Sequence, residues 1–335
     1  MYRVLITGGA GFIGSHLAER FLALDAKVTA FDDMSTGSPH NVAHLNKHPG
    51  FKCVTGSVFD YTTLSDLVDQ SDIVFHLAAA VGVRLVVDHP VRTMETNVHG
   101  TEMLLRAAAR KRKRVIVTST SEVYGKSNNL PFKEDSDLTL GPPTVSRWSY
   151  ACSKALDEFL ALAYWKEHRV PTTVVRLFNT VGPRQSARYG MVLARFMEQA
   201  SQGEPITIHG SGEQTRCFAY VKETVECLIR LSDSSSSIGE VFNIGNNEEV
   251  SIKSLALLVK EVTGSPSNLM LVPYESAYGC GFEDMQRRVP SLEKLESAIS
   301  YRPSMSVRRI IELLHEHRSY KPAIVASVAA RGIAS

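Results

Sequence analysis

Two side chains on one predicted helix have the types and spacing for proton transfer. Tyr150 and Lys154 lie four residues apart, and this separation places both side chains on the same face of a helix. A free tyrosine titrates at about pH 10, but a neighbouring ammonium, together with a positively charged group bound beside it, favours the phenolate and lowers its pKa. The pair therefore indicates a general base that removes a proton from a hydroxyl group. The same spacing occurs by chance in many helices, so this interpretation depends on other motifs.

A second polar group follows a predicted strand. Thr120, Ser121 and Glu122 come directly after an apolar run at residues 115–118. Open α/β sheets bind ligands at the carboxyl ends of their strands, so these hydroxyls and this carboxylate are candidate catalytic groups. Thr120 and Ser121 would hydrogen-bond a reacting hydroxyl or ketone. The alternative for such a cluster is helix capping and turn formation, which serine and threonine often serve.

The start of the chain carries a glycine-rich turn between a strand and an amphipathic helix. The apolar residues 4–6 run into the sequence Thr7-Gly8-Gly9-Ala10-Gly11-Phe12-Ile13-Gly14. Glycine permits the tight turn and the approach of a pyrophosphate, while the helix N-terminus offers N–H groups to it. This context predicts a dinucleotide-binding loop. Its cofactor-binding residues are predicted to be Gly8, Gly11, Phe12, Ile13 and Gly14.

Two carboxylates follow the second predicted strand. Asp32 and Asp33 lie 18 and 19 residues after Gly14, where an acidic side chain accepts hydrogen bonds from the adenosine ribose. Two negative charges would repel a 2′-phosphate, so the sequence favours NAD over NADP. An ordinary polar loop is the alternative. Ser57 and Val58, after the third strand, are predicted to flank the adenine.

The elements that position these residues alternate along the chain. Short apolar runs suit a parallel sheet buried on both faces, and helical segments lie between them, which predicts an α/β, Rossmann-type doubly wound parallel sheet with a smaller C-terminal α/β substrate lobe. The predicted strands are residues 3–7, 27–31, 51–54, 73–77, 115–118, 173–178 and 241–244. The predicted helices are residues 13–24, 62–69, 91–109, 150–168, 191–201, 252–262 and 307–315.

The alternation indicates three parts of the chain. Residues 1–180 are expected to form the NAD-binding domain, which contains the catalytic Tyr and Lys. Residues 181–318, where loops become richer in Gly, Pro and Arg, are expected to form mainly the substrate lobe, with some strands returning to the sheet. Residues 319–335 are expected to be a tail or an oligomer contact.

Composition excludes several classes of function. The 335-residue chain has a net charge of +2, which gives no general attraction to nucleic acid. Its five cysteines are scattered without metal-ligand spacing, so we expect reduced thiols and no metal site. No apolar run is long enough for a membrane span, and the N-terminus has no signal-peptide pattern. A cytoplasmic enzyme that binds neither membrane nor nucleic acid is expected.

Three motifs in order resemble the extended short-chain dehydrogenase/reductase family of nucleotide-sugar epimerases, dehydratases and decarboxylases. They are the glycine loop, Thr118-Ser119-Thr120 and Tyr150-x-x-x-Lys154, and the resemblance covers residues 1 to about 318. It implies NAD as cofactor, with Leu77, Ala78 and Ala79 beside the nicotinamide and Lys154 on its ribose. It also implies a UDP-sugar substrate. The residues expected to bind this substrate are Arg147, Asn179, Arg184, Arg216 and Arg288.

Further motifs resemble members of the family that use UDP-glucuronate. These are the run at residues 147–150 and the spaced pattern over residues 278–290, and the resemblance implies that Glu122 and Arg288 belong to the active site. Dehydratases carry an aspartate where this chain has Ser121, so dehydration is not expected. Residues 178–185 and 188–192 are closer to 4-epimerases. Alternatively, Glu122 forms only a salt bridge with an arginine of the lobe, and Arg288 lies on the surface.

The resemblance implies one first step and then a choice of outcome. Oxidation at C4 gives a 4-keto sugar, after which the ketone is reduced on its other face or a C5 carboxylate leaves as carbon dioxide. The sequence places 4-epimerisation of UDP-glucuronate or UDP-glucose/galactose first and UDP-glucuronate decarboxylation second. A non-catalytic NAD(H)-sensing protein is the alternative from another class. A homodimer through helices 91–109 and 150–168 is implied by the resemblance alone.

Overall fold

The computed structural model describes residues 2–82, 86, 88–187, 190–278 and 283–319. The strands of this part of the chain are β1 (Arg3–Thr7), β2 (Lys27–Asp32), β3 (Phe51–Thr55), β4 (Ile73–His76), β5 (Arg114–Thr120), β6 (Thr172–Leu177), β7 (Thr180–Val181), β8 (Ile206–His209), β9 (Thr215–Cys217), β10 (Ala219–Tyr220), β11 (Val241–Ile244), β12 (Glu249–Ser251) and β13 (Leu269–Val272). The α-helices are α1 (Phe12–Leu22), α2 (Tyr61–Gln70), α3 (Pro90–Met94), α4 (Gly100–Ala109), α5 (Arg147–His168), α6 (Val192–Gln202), α7 (Val221–Asp233), α8 (Ile252–Thr263), α9 (Tyr274–Tyr278), α10 (Glu293–Ile299) and α11 (Val307–Ser319).

Seven strands form one parallel sheet in the order β11-β6-β5-β4-β1-β2-β3. The chain begins in the middle at β1, moves outward to β3, and returns to place β4 on the other side of β1. The predicted Rossmann-type doubly wound sheet is therefore confirmed. At the switch point between β1 and β4 the connections leave in opposite directions, which opens a crevice at the carboxyl ends of the strands.

Alternating side chains of the central strand bury both faces of the sheet. Val4 and Ile6 point into a core cluster that contains Leu17 of α1, whereas Leu5 points into a second cluster with Leu64 of α2. All five side chains are at most 1% exposed. Because both faces are covered by helices, the strand is almost continuously apolar, as parallel strands usually are.

The helix predicted at residues 91–109 is interrupted. A π-helical turn at Glu95–His99 separates α3 from α4. In this turn the buried Asn97 side chain accepts a hydrogen bond from the N–H of Ala80 at 2.9 Å and donates one to the Ser153 hydroxyl at 3.0 Å. The irregular turn thus connects the loop after β4 with α5, and both border the crevice.

A buried ion pair fixes α5 against the sheet. The Arg176 guanidinium of β6 donates to the Glu158 carboxylate of α5 at 2.7 and 3.0 Å and to the Tyr124 hydroxyl at 2.8 Å. The Glu158 carboxylate also accepts a hydrogen bond from Ser119 at the end of β5. These contacts hold the start of α5, which carries Tyr150, beside Thr120.

The second half of the chain is more regular than its loop-rich composition predicts. The helix α7, which was not predicted, packs on α1, and β11 extends the main sheet beside β6. Smaller pairs build the lobe: β8 with β13, β9 with β12, and β7 with β10. The second half therefore contributes to the main core as well as to the lobe.

Some predicted features lie outside the described residues. They are Arg188 and Tyr189 of one motif, the stretch 279–282 of another, and the tail from residue 320 onward. Among the helices that the structure describes, none combines the length and apolar character needed to cross a lipid bilayer.

Candidate active site

A cavity of about 660 Å³ opens at the carboxyl ends of the central strands, between the sheet and the lobe. The predicted catalytic residues Thr120, Ser121, Glu122, Tyr150 and Lys154 all line it. The predicted cofactor-binding residues that line it are Gly8, Gly11, Phe12, Ile13, Gly14, Asp32, Asp33, Val58, Leu77, Ala78, Ala79 and Lys154. The predicted substrate-binding residues Arg147, Asn179, Arg184, Arg216 and Arg288 also line it. One cavity thus brings together motifs from distant parts of the chain.

The glycine loop is shaped for close backbone contact. A Cβ atom on Gly14 would lie 2.3 Å from the carbonyl oxygen of Gly8, and one on Gly8 would lie 2.8 Å from the nitrogen of Ala78. Gly8 has a φ of +71°, which glycine adopts without strain. Within the described part of the chain, no side chain caps the N-terminus of α1. The bare helix start and the lack of Cβ atoms fit the pyrophosphate of a dinucleotide.

The acidic end of the cavity combines a buried and a more exposed carboxylate. Asp32 accepts hydrogen bonds from the N–H of Ala10 at 2.9 Å and of Met34 at 2.8 Å, so it also holds the glycine loop. Burial raises the pKa of Asp32, and the neighbouring Asp33 adds to this effect. Two acidic groups in the cavity suit a ribose hydroxyl and oppose a phosphate.

The adenine end differs from the prediction at one residue. Val58 lines the cavity together with Gly56, but Ser57 is not among the lining residues. The Ser57 hydroxyl instead accepts a hydrogen bond from the N–H of Phe59 at 3.2 Å. The Ser57 side chain therefore stabilises a local turn, as serine often does after a strand.

Tyr150 lies beside Thr120 and near the charge of Glu122. Burial and the negative charge of Glu122 raise the pKa of Tyr150 above its usual value, although a hydrogen bond with Thr120 opposes them. The prediction that the Lys154 ammonium and a positively charged nicotinamide together lower the pKa of Tyr150 stays a prediction. In the structure the Lys154 ammonium is paired with Asp157 at 2.6 Å. A further positive charge in the cavity is needed to favour the phenolate.

Three guanidinium groups and two carboxylates form a cluster at the substrate end. Glu122 lies 3.2 Å from Arg288 and 3.6 Å from Arg147, and Asp284 lies 2.7 Å from Arg147 and 2.8 Å from Arg216. Burial and the nearby Arg216 lower the pKa of Arg288 to about 10, so it remains a cation at neutral pH. The cluster carries one net positive charge, which attracts an anionic ligand.

For Glu122 and Arg288, the sequence left open an active-site role, a simple salt bridge for Glu122 and a surface position for Arg288. Glu122 does form salt bridges with arginines, and Arg288 is not on the surface because its side chain is only 11% exposed. Both residues nevertheless line the cavity next to Tyr150. The salt bridge is therefore part of the candidate site.

Two predicted substrate-binding residues are already held by protein groups. The Asn179 amide donates to the carbonyl oxygen of Cys217 at 2.8 Å. The Arg184 guanidinium donates to Ser15 at 3.1 Å and to Glu19, both on α1. Although burial opposes it, hydrogen bonds from His16 and Arg184 lower the pKa of Glu19 to about 2, which keeps this contact ionised. Arg184 thus connects the lobe with the cofactor helix.

Several cavity residues were missed by sequence reasoning. They are Arg195, His209, Gln214, Tyr274 and Asp284. Asp284 and Arg216 lie far apart in sequence, so their contact shows only in the fold. The spacing of Asp284 within the motif over residues 278–290 was the one available signal.

Comparison with known proteins identifies a family and several relatives. Residues 4–245 match the model of the NAD dependent epimerase/dehydratase family. UDP-N-acetyl-alpha-D-glucosaminuronate decarboxylase of Bacillus cytotoxicus is 41% identical over 305 residues, which cover 91% of this chain and 94% of that protein. UDP-glucuronic acid decarboxylase 1 of Xenopus tropicalis is 35% identical over 301 residues, which cover 90% of this chain and 68% of that protein.

A similar solved structure is UDP-glucuronic acid 4-epimerase from Bacillus cereus in complex with UDP-glucuronic acid and NAD. It has a TM-score of 0.85 and 27% identity, with 95% of this chain and 99% of that chain covered. The prediction of NAD as cofactor is confirmed by the family and by this neighbour. The relatives support decarboxylation better than the 4-epimerisation that the motifs placed first, and the latter is not confirmed.

Proposed function

Because this chain belongs to the NAD dependent epimerase/dehydratase family, we propose that it is an NAD-dependent decarboxylase of a UDP-hexuronate. The substrate class is UDP-glucuronate or its 2-acetamido counterpart, which are named for the relatives. When bound, NAD supplies the hydride acceptor for C4 of the sugar. Binding, orientation and proton transfer fall to the side chains of the cavity.

The observation that carries this proposal is the position of Glu122 between Arg288 and Arg147. An enzyme that retains the sugar carboxylate benefits from a guanidinium committed to it. Here Arg288 and Arg147 are paired with Glu122, and Arg147 is also paired with Asp284. A C5 carboxylate near Tyr150 would therefore meet a second carboxylate. Its departure as neutral carbon dioxide relieves this repulsion.

The proposed reaction balances without net oxidation. Tyr150 removes the proton of the C4 hydroxyl as a hydride leaves C4, and Thr120 holds the oxygen. The resulting ketone makes the substrate a β-keto acid, so the bond from C5 to the carboxylate carbon breaks and its electron pair moves to the C4 oxygen. A proton then adds to C5. Return of the hydride to C4 and of the proton from Tyr150 gives a UDP-pentose and restores NAD.

A 4-epimerase of a UDP-sugar is the second candidate. The observation in its favour is the likeness to the Bacillus cereus 4-epimerase bound to UDP-glucuronic acid. The net positive charge of the arginine cluster also suits a retained carboxylate. The pairing of both nearby arginines with Glu122 favours decarboxylation between the two.

A non-catalytic NAD(H)-sensing protein is the candidate from another class. A sensor needs the glycine loop but has no need of a proton-transfer group. Tyr150, Thr120 and Lys154 together line the cavity, and Tyr150 is hydrogen-bonded to Thr120. This arrangement supports an enzyme.

The test is to follow sugar signals by proton NMR in two tubes with NAD, one with UDP-glucuronate and one with UDP-N-acetylglucosaminuronate. We expect a UDP-pentose and carbon dioxide in at least one tube. The matched control is Tyr150→Phe, which keeps the ring and is expected to bind NAD without turning over sugar. A mixture with the C4 epimer and no carbon dioxide would replace the proposal by the 4-epimerase. Unchanged turnover by Tyr150→Phe would refute the assigned base.

A further inference from the structure

Two buried sets of hydrogen-bonded polar groups lie between the glycine-loop strand and Lys154. Thr7 at the end of β1 contacts Nδ1 of His76 at 2.8 Å, and Nε2 of His76 contacts the Thr101 hydroxyl of α4 at 3.1 Å. Asp157 of α5 accepts a hydrogen bond from the Lys154 ammonium at 2.6 Å. Burial raises the pKa of Asp157, whereas the Lys154 charge and the Thr101 hydroxyl lower it. All five side chains are at most 2% exposed.

The direction of these hydrogen bonds follows from the inventory of donors. Burial and the Lys154 charge lower the pKa of His76 to about 3, so its ring is neutral and has one donor and one acceptor. The Thr7 oxygen accepts from the N–H of Ala78 at 3.3 Å and its hydrogen is left for Nδ1 of His76. Nε2 then donates to Thr101. Among the described residues, Lys154 is the hydrogen-bond donor to Asp157, through Oδ2, and the buried Oδ1 has no partner.

We infer that Asp157 is a positioning residue that holds the Lys154 ammonium in place and offsets its charge at Tyr150. Asp157 does not line the cavity, whereas Lys154 and Tyr150 do. It acts through Lys154 and has no contact with ligand. The inference deepens the proposed function, on which it rests for the role of Tyr150 as the base.

The charged groups around Tyr150 allow the effect of Asp157 to be separated. Glu122 follows β5, Arg288 belongs to the lobe, and Asp157 lies on the same helix; of these, the two carboxylates raise the pKa of Tyr150 and Arg288 lowers it. Two further titratable groups belong to these surroundings. The charge of Glu158, which acts on Asp157, is paired with Arg176, and His76, which is affected by the Lys154 charge, is neutral. Asp157 is thus the carboxylate whose removal changes the balance without breaking the Glu122 cluster.

The experiment titrates Tyr150 in the NAD-bound protein by tyrosinate absorbance. For each protein, the absorbance of the same protein with Tyr150→Phe is subtracted, so that only the signal of Tyr150 remains. Asp157→Asn is expected to move the midpoint to lower pH by about one unit, because a negative charge is lost. Lys154→Met is expected to move it to higher pH. The double variant is expected to lie near the wild-type midpoint, since the pair is removed as a unit. Glu102→Gln, an exposed carboxylate on α4, is the matched control and is expected to leave the midpoint unchanged.

Equal midpoints for the wild type and Asp157→Asn would overturn the inference, as would shifts of Asp157→Asn and Lys154→Met in the same direction. Removing one partner of a buried ion pair is strongly destabilising, whereas removing both is often tolerated. If Asp157→Asn does not fold, Lys154→Met and the double variant still differ only in the Asp157 charge. The double variant must then titrate at lower pH. If the wild type does not turn over a UDP-hexuronate, the proposed function is wrong. The titration of Tyr150 still tests the inference about Asp157 in that case.

Discussion

At the scale of single residues, Glu122 acts on Tyr150, and Asp157 pairs with Lys154. The Glu122 charge raises the pKa of Tyr150, whereas the Lys154 charge is offset by Asp157 at 2.6 Å. Glu122 is also the carboxylate that occupies Arg288 and Arg147. In the proposed reaction, this single side chain thus raises the pKa of the base and keeps the two guanidinium groups from the substrate.

Replacing Glu122 by glutamine separates these two effects. In Glu122→Gln the Tyr150 pKa falls, so the pH at which C4 oxidation becomes half-maximal moves lower. Arg288 is released to hold the substrate carboxylate, and we expect carbon dioxide release to slow by about 100-fold. The measurement follows NADH absorbance and released carbon dioxide in the same reaction, and NADH is expected to accumulate.

The control for this variant is Glu213→Gln, which removes an exposed carboxylate outside the cavity. It is expected to leave both signals at wild-type values. Carbon dioxide release at the wild-type rate by Glu122→Gln would contradict the role given to the Glu122 charge.

Local sequence predicted the groups whose chemistry follows from type and spacing, but it missed their partners. Tyr150 and Lys154 are adjacent on one helix, so spacing alone placed them together. Asp157 is three residues after Lys154, yet its function as a counter-ion appears only when both are seen to be buried. Asp284 forms an ion pair with Arg216 although the two residues are 68 positions apart in sequence, and no local pattern predicts that contact.

At the scale of elements, the strands of the main sheet were all predicted, whereas the short strands of the lobe and the helices α7, α9 and α10 were not. β1 and β11 match their predicted bounds, because a buried parallel strand reads as a short apolar run. The helix α7 was missed although its buried positions Val221, Val225 and Leu228 have helical spacing. The π-helical turn at Glu95–His99 was not predictable, since it depends on the contacts of Asn97 with Ala80 and Ser153.

The first turn of α1 gives a prediction at this scale. In Gly14→Ala the new Cβ would lie 2.3 Å from the Gly8 carbonyl oxygen, so the helix must move away from the loop. Overpacking of this kind costs about 1 to 3 kcal/mol, which corresponds to a loss of NAD affinity of about fivefold to 150-fold. Isothermal titration with NAD measures the loss.

The matched control is Gly203→Ala at the end of α6. Gly203 has a φ of +70° but no atom near its Cβ position, so alanine there adds backbone strain without a clash. Its NAD affinity is expected to equal that of the wild type, and its unfolding temperature to fall slightly. Equal affinities for Gly14→Ala and the wild type would contradict the proposed approach of the loop to the cofactor.

At the scale of the whole molecule, apolar side chains are exposed on two adjacent helices. Val91 and Met94 of α3 and Leu156 and Phe159 of α5 are 41% to 69% exposed, and α3 packs against α5. We propose that this surface forms the homodimer interface. In Phe159→Asp the dimer dissociation constant is expected to rise at least about tenfold, because a central aromatic contact is replaced by a charge. Sedimentation velocity measures it.

Leu271→Asp is the matched control, because Leu271 is similarly exposed at 62% but lies on β13 of the lobe. It is expected to remain as associated as the wild type. A wild-type protein that sediments as a monomer at every concentration would contradict the proposed interface.

The central claim concerns the fate of the C5 carboxylate, and the most direct measurement is the reaction with UDP-glucuronate and with UDP-N-acetylglucosaminuronate in heavy water. Decarboxylation breaks a bond at C5 and adds a solvent proton there, so the account predicts a UDP-pentose with one deuterium at C5 and one carbon dioxide released per sugar. A C4 epimer that retains its carboxylate and its original C5 hydrogen would contradict it.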